Sequence, residues 1–562
     1  VSGARFAWVL AWAPVGLCGG VATVPEPPVW WGGLVEVEQV SAWAPELGEL
    51  DAVVRRGVRE AGLRERPGSW VNAVRGPVVV AGLRVEGEHA ERLVGELRMR
   101  VSHPGGASWN RIVLRWYGAG ERRTPELSAL SARVAGVEAG TAREGTLLTL
   151  VPATPVLPGE TVDVQLSFVI EVPDLTEALP DRDYSNTEDH GLYGRWGQSG
   201  EVSLAHVLPQ LSRFDGASWD TRPLARNGEH GDLDLQDVVL VLDRPASLRP
   251  VVGGVWLGEQ ASEGRVRSVH ALPLVRDTSL VLSRGWQQAS AEGGGRTVRV
   301  SLPTGWRSGW SAQGTADEAL QVWTLLEQQV GQAPWSELDL AAVPARGDAL
   351  ATELSTLVLL HGTRHGVRPL SVVAHEVAHQ WWYAIVGSDS AGEPWVDEAV
   401  ASWTAAWAVG VIAGPSARAS DLMREELFAR QMEPVYRPAA TLPAGEYSYG
   451  EYAVAVYGRA TLFLEELARR GGDERMLGAL RRWYTDRAGE RGTGEELMAV
   501  LREAFGEQEV ASAAALWLDA FTPPPLVPVA PLPEEPEPTK DKRTGGDREP
   551  GGARGSRVNK IE

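Results

Sequence analysis

The sequence predicts an α+β multidomain fold, on three observations. Residues from about 71 to 248 carry short apolar runs with partial alternation, punctuated by Pro and Gly; residues from about 366 to 520 carry apolar positions at helical spacing. From Pro523 to Glu562 the composition turns abruptly to Pro, Glu, Lys, Arg and Gly. The first stretch is expected to form an N-terminal antiparallel β-sheet domain, the second a mostly helical domain, and the third a disordered tail. A chain of 562 residues is long for one domain, so boundaries are expected at 1–22 (a leader), 23–248 (the β domain, with a variable start), 249–522 (the second domain) and 523–562 (the tail).

The leader reads as an export signal. Val1 to Arg5 is short and positive, Phe6 to Leu17 is apolar over signal-peptide length, and Gly20 and Ala22 are small residues where cleavage needs them. An uncleaved N-terminal anchor or a buried segment is the alternative, and Cys18, the only cysteine, is a lipidation site on a further reading, although Leu17 before it is bulky for that. A leader, an anchor or a lipidated cysteine would each place the protein in an exported, periplasmic or extracellular, location. Nothing else in the chain approaches a membrane span. The formal charge of −20 argues against a nucleic-acid partner, because phosphate binding needs a basic face.

A helix-like run, Leu50 to Ala61, precedes the β region. There Arg92 to Val101, Thr146 to Val151 and Val162 to Ile170 have strand composition, and strands continue from Val251 to about Pro303. Gly253-Gly254 and Gly293-Gly294-Gly295 read as turns. Ala316 to Val330 has amphipathic helical spacing with Asp317 and Glu318 in its first turn. Later helices are expected at Thr461 to Arg470, stopped by Gly471-Gly472, then at Met476 to Thr485, Gly494 to Phe505 and Val510 to Phe521.

Chemistry concentrates in His375-Glu376-Val377-Ala378-His379-Gln380-Trp381-Trp382. Apolar residues from Leu370 through Trp382 keep helical spacing, so His375 and His379 point the same way one turn apart, with Glu376 beside them. A second helical segment, Val396 to Val409, carries Glu398, and the 18 residues between His379 and Glu398 suffice for a loop, Gly387 to Pro394, to return it to the histidines. Two imidazoles and one carboxylate bind one Zn2+ and leave a fourth position open for water, the arrangement of a hydrolytic centre. Glu376 then acts as general base and returns the proton to the leaving amine.

These residues, with Trp395-Val396-Asp397-Glu398-Ala399 and the 18-residue gap, resemble the aminopeptidase N and leukotriene hydrolase family of gluzincin metallopeptidases. Val456-Tyr457-Gly458-Arg459 is similar to the family's Tyr-Glu-Lys-Gly stretch and falls 59 residues after Glu398, so the resemblance implies that Tyr457 is catalytic and that Tyr452, five residues earlier, is substrate-binding. It also implies a saddle-like N-terminal domain, a thermolysin-like catalytic domain that the segment from Arg276 to Ser283 would open, and a peptide substrate. The family's Gly-x-Met-Glu-Asn strand survives only as Leu350-Ala351-Thr352-Glu353-Leu354, without its Gly and Asn, and Glu353 stands in register with the glutamate that binds the substrate's free ammonium. Three functions stay open on this basis: an aminopeptidase, an endopeptidase with the same centre, and a non-catalytic binding or scaffold protein with a metallopeptidase-like fold.

Overall fold

The computed structural model describes residues 77–519, apart from 118–126, 176–192, 197–199, 224–226, 229–231, 307–308, 345–349, 363–366 and 433–437. The expected leader (1–22), the run Leu50 to Ala61 and the tail (523–562) lie outside the described residues.

Alternation of apolar residues in the first half builds an eight-stranded sheet, in the order Val255–Ser262, Arg265–Val275, Gln236–Pro245, Val78–Glu86, Arg92–Ser102, Thr161–Glu171, Leu127–Val134, Val137–Glu138. Its pairs are antiparallel except one: Val78–Glu86 runs parallel to Gln236–Pro245, with Val80 opposite Val239, so the sheet is mixed. Two four-stranded sheets pack with it, one joining Glu201–Leu204 to Leu280–Ser283 and Arg249–Val252. The β half therefore runs on to Ser283, past the boundary expected at 248. Strand composition cannot say which sheet a strand joins, and Glu201–Leu204 pairs with a strand far away in sequence, Val202 opposite Leu282.

The second half starts with a five-stranded sheet ordered Trp286–Gly293, Arg296–Pro303, Glu337–Ala342, Leu357–Leu360, Ala351–Leu354. Gly294 (φ 59°) and Gly295 (φ 76°) turn its first hairpin, where only positive φ matches the twist of a two-residue connection. The three middle strands are parallel, and the edge strand Ala351–Leu354 is antiparallel to its neighbour. Helix α1 (Ala312–Gln329), capped by Ser311, begins four residues before the expected start, so Asp317 and Glu318 fall beyond its first turn. Then come α2 (Pro369–Ala378), α3 (Trp395–Ala413), α4 (Pro415–Met432), a single α-turn at Tyr449–Tyr452, a π-helix at Ala453–Arg459, and α5 (Ala460–Gly471), α6 (Asp473–Arg487), α7 (Gly494–Phe505) and α8 (Glu507–Trp517). Among the described residues no helix is long and apolar enough to cross a membrane.

The halves meet at Arg276 and Asp277, both buried. The Arg276 guanidinium donates to the carbonyls of Tyr383 (2.6 Å), Ile385 (3.1 Å), Glu490 (2.9 Å) and Leu233. Asp277 accepts from the Ser355 amide (2.7 Å) and the Tyr383 hydroxyl (3.0 Å). Together they tie the segment after α2 and the turn of the edge hairpin to the β half. Arg276→Ala would leave four carbonyls without their charged donor, so it should destabilise the protein by about 3–5 kcal/mol in denaturant unfolding followed by tryptophan fluorescence. A loss below about 1 kcal/mol, the worth of one ordinary hydrogen bond, would show that the clamp is not structural.

Candidate metal centre and active site

Helix α2 opens with Pro369 at its first turn, where a missing N–H costs nothing. It buries Leu370, Val372, Val373, Ala374, Val377 and Ala378, and Glu376 with them. The helix ends at Ala378 with His379 as its C-cap, one turn short of the expected run through Trp382. The chain departs there because Trp381 and Trp382 are drawn apart into separate core contacts: the Trp381 indole N–H donates to the Gly331 carbonyl (2.8 Å), and that of Trp382 to the Thr404 hydroxyl (3.1 Å). The His379 N–H still reaches the His375 carbonyl (3.1 Å), so the one-turn relation of the imidazoles survives.

Helix α3 brings Glu398 to the same point. Its Oε2 stands 3.3 Å from His375 Nε2 and 3.4 Å from His379 Nε2, while the two Nε2 atoms are 3.0 Å apart. His379 Nδ1 lies 3.0 Å from the Trp382 carbonyl, which can only accept, so Nδ1 carries a proton and a neutral ring presents a lone pair at Nε2. His375 Nδ1 faces the Ser402 hydroxyl at 3.3 Å, from one turn beyond Glu398 on α3. Glu398 Oε2, though buried, has no partner in hydrogen-bond geometry. Two ring nitrogens and an orphaned carboxylate oxygen converging on one point form a cation site, and the N, N, O donor set fits zinc.

The electrostatics agree. Burial works against a charge on His379, yet Glu398 overcomes it and raises the proton affinity of that ring. Burial likewise opposes ionisation of Glu398, and the two histidines outweigh it, holding the carboxylate well below its usual range. His375 is driven the other way, by burial and then by the neighbouring His379. The protein's own groups thus favour one positive charge where the donors meet. Glu376 is buried beside them with Oε2 free of any hydrogen bond, and burial pushes its carboxyl well above the usual range.

Tyr457 sits in the π-helix, a conformation that recurs at functional sites because it re-aims one side chain. Its hydroxyl donates to Glu398 Oε1 at 2.5 Å. Tyr452 is buried, edge-on to Tyr457 at 5.8 Å and to Tyr447 at 5.9 Å, with its hydroxyl against Gly228. It backs the Tyr457 ring. Glu353 reaches the centre from the edge strand, its Oε1 3.7 Å from His379 Nδ1. Gln380, to which the sequence reading assigns no part, holds that strand in place: its amide donates to the Leu354 carbonyl (3.0 Å) and accepts the Thr356 N–H (2.9 Å). Its place directly after His379 was the one available signal. Ser402 had a signal too, its one-turn spacing from Glu398.

No protein-family profile and no curated protein matches the chain. Solved structures do. An M1 zinc metallopeptidase from Deinococcus radiodurans is 19% identical, with a TM-score of 0.59 over 81% of this chain and 96% of that one. A mutant of the Deinococcus radiodurans enzyme bound to a Tyr-Ser-Ala substrate is 18% identical, with a TM-score of 0.58 over 81% and 96% of the two chains. A mutant two-domain M1 zinc metallopeptidase bound to L-arginine is 20% identical, with a TM-score of 0.58 over the same shares. The β half, the mixed five-stranded sheet and the helices that follow it therefore have, in this order, the fold of the M1 zinc metallopeptidases.

Proposed function

We propose that the chain is an exported zinc-dependent peptidase that removes residues from the amino end of peptides. One observation carries the catalytic part: the donor atoms of His375, His379 and Glu398 lie within 4.8 Å of one another, beside a buried carboxyl, Glu376, with a free oxygen. A zinc ion held by those three residues would supply a water acidified toward neutrality and a positive charge for the scissile carbonyl. Glu376, whose Oε2 is free of hydrogen bonds, would accept a proton from that water and return it to the leaving amine. The Tyr457 hydroxyl, a donor already aimed at the ligand cluster, turns from Glu398 Oε1 to the carbonyl oxygen as charge develops there. Packing of Trp381, Trp382 and Trp403 behind the helices keeps the donors in a dry setting, where such contacts are strongest.

The amino-end preference is supported by Glu353, a carboxylate on the antiparallel edge strand beside the cluster, suited to a substrate ammonium. Structural neighbours bind a Tyr-Ser-Ala substrate, L-tryptophan and L-arginine, ligands of one to three residues. Internal cleavage is the second reading. It is favoured by the buried Leu354 where the family has a polar Asn, and by the closeness of Glu353 to His379, which draws its charge toward the ligand ring. Export rests on the apolar run Phe6 to Leu17, and fractionation of cells expressing the full chain tests it.

Metal analysis with aminoacyl chromogenic substrates and internally quenched peptides tests the rest. The purified protein should hold one zinc per chain, and chelation should abolish hydrolysis until zinc is restored; Glu398→Gln should lose the metal, and a metal-free active protein would end the reading. Glu376→Gln should keep zinc while turnover falls about a thousandfold, and retained turnover removes Glu376 as base. Tyr457→Phe should lower kcat about a hundredfold with KM little changed. Glu353→Ala should damage cleavage of substrates with free amino ends more than that of blocked ones; equal losses would favour internal cleavage.

A further inference from the structure

Helices α2 and α3 carry the candidate ligands, and the loop between them fixes how α3 enters the site. The Ser388 and Ser390 hydroxyls both donate to Asp397 Oδ2, at 2.6 and 2.9 Å, and Asp397 Oδ1 accepts the N–H of Glu398 at 2.9 Å. Pro394, at the α3 N-cap, has no capping side chain, so these bonds, with that of the Val396 N–H to the Glu393 carbonyl (3.0 Å), hold the first turn, and Glu398 with it. Asp389 lies between the two serines, and its Oδ1 accepts the Gly392 N–H at 2.9 Å. Its carboxylate receives both Nη atoms of Arg222, at 2.9 Å on Oδ2 and 3.2 Å on Oδ1.

Arg222 comes from the β half, beyond the strand Gln210–Leu211. Its guanidinium is held before it meets the loop: Asp220 takes Nε at 3.1 Å and Nη2 at 2.9 Å, and Asp232 takes Nη2 at 3.1 Å. Asp232 is held in turn by Arg491, whose backbone pairs with Gly387 at the start of the same loop. The loop is also tied to the helical half, through Gly387 N to the Glu490 carbonyl (3.0 Å) and Ala444 N to the Ala391 carbonyl (2.9 Å). A planar fork that grips one carboxylate with two parallel bonds sets direction as well as distance.

We infer that Arg222 is a positioning residue for Glu398: by fixing Asp389 it aims Ser388 and Ser390 at Asp397 and so sets where the Glu398 carboxylate meets the two imidazoles. This rests on the zinc-peptidase reading above. The β half thereby acts on the metal centre without touching it. Partners outside the ligand set are worth 10- to 100-fold in metal affinity, and one acting through a loop belongs at the low end, about tenfold.

The test compares full-length wild type, Arg222→Ala and Arg222→Lys. Arg222 is 47% exposed, so its truncation opens no core cavity, and the thermal midpoint of the metal-free protein, measured alongside, reports what losing its contacts to Asp220, Asp232 and Asp389 costs the fold. Zinc affinity, read by chelator competition, should fall about tenfold in Arg222→Ala, with Arg222→Lys between because it keeps the charge and loses the fork. The visible bands of the cobalt-loaded protein should shift in Arg222→Ala, and kcat should fall with KM held. In about 1 M salt, where screening shortens to about 3 Å, the affinities of wild type and Arg222→Ala should converge. Equal affinity, equal cobalt bands and equal kcat in Arg222→Ala and wild type overturn the inference. A wild type that holds no metal instead overturns the reading beneath it, and a wild type that holds zinc but cleaves nothing leaves the affinity and cobalt comparisons to decide.

Discussion

Two imidazoles and a carboxylate have to meet at one point inside an apolar core, and much of this fold serves that requirement. Taking polar groups out of water is costly unless each finds a partner. Here the outer atoms of the three donors are taken up by the Trp382 carbonyl, the Ser402 hydroxyl and the Tyr457 hydroxyl. Only Glu398 Oε2 and Glu376 Oε2 stay without a bond in this cluster, and these are the atoms that the proposed chemistry uses. The exposed part of His375 leaves an approach to the centre from one side.

The supporting shell is built from both halves of the molecule. Arg276 and Asp277 grip the segment after α2 and the turn of the edge hairpin; Gln380 then links that hairpin to the residue beside His379. The strand carrying Glu353 is thus held from two directions, which places a carboxylate beside the ligand cluster without a glycine or asparagine around it. On the other flank, Asp397 and its two serines fix the start of α3, and Arg222 reaches that loop from the β half. A metal centre assembled this way reports on the junction between the halves.

Much of the site was legible in the sequence because it is local. The His375, Glu376, His379 relation is one helical turn, and the 18-residue gap to Glu398 needs only a loop; both are periodicity and length. Gly494 to Phe505 was bounded correctly because Thr493 and Glu496 make a capping box at its start and Gly506 ends it. The end of α2 departs from its periodicity for the opposite reason: Trp381 and Trp382 keep helical spacing in the sequence, but their indoles bond to different partners, the Gly331 carbonyl and the Thr404 hydroxyl.

What the sequence by itself determined is the chemistry available, namely which donors exist, on which helices, and at what separation along the chain. Tertiary structure alone decided that Glu398 Oε2 faces both Nε2 atoms, that Tyr457 rather than Tyr452 reaches the cluster, that the β half extends to Ser283, and that Arg222 grips the loop before α3. The physical reason is range. Helical periodicity and capping act over a few residues and leave their mark in order and composition, whereas sheet partners, buried ion pairs and ring contacts join residues more than a hundred positions apart and are chosen by the packing of the whole.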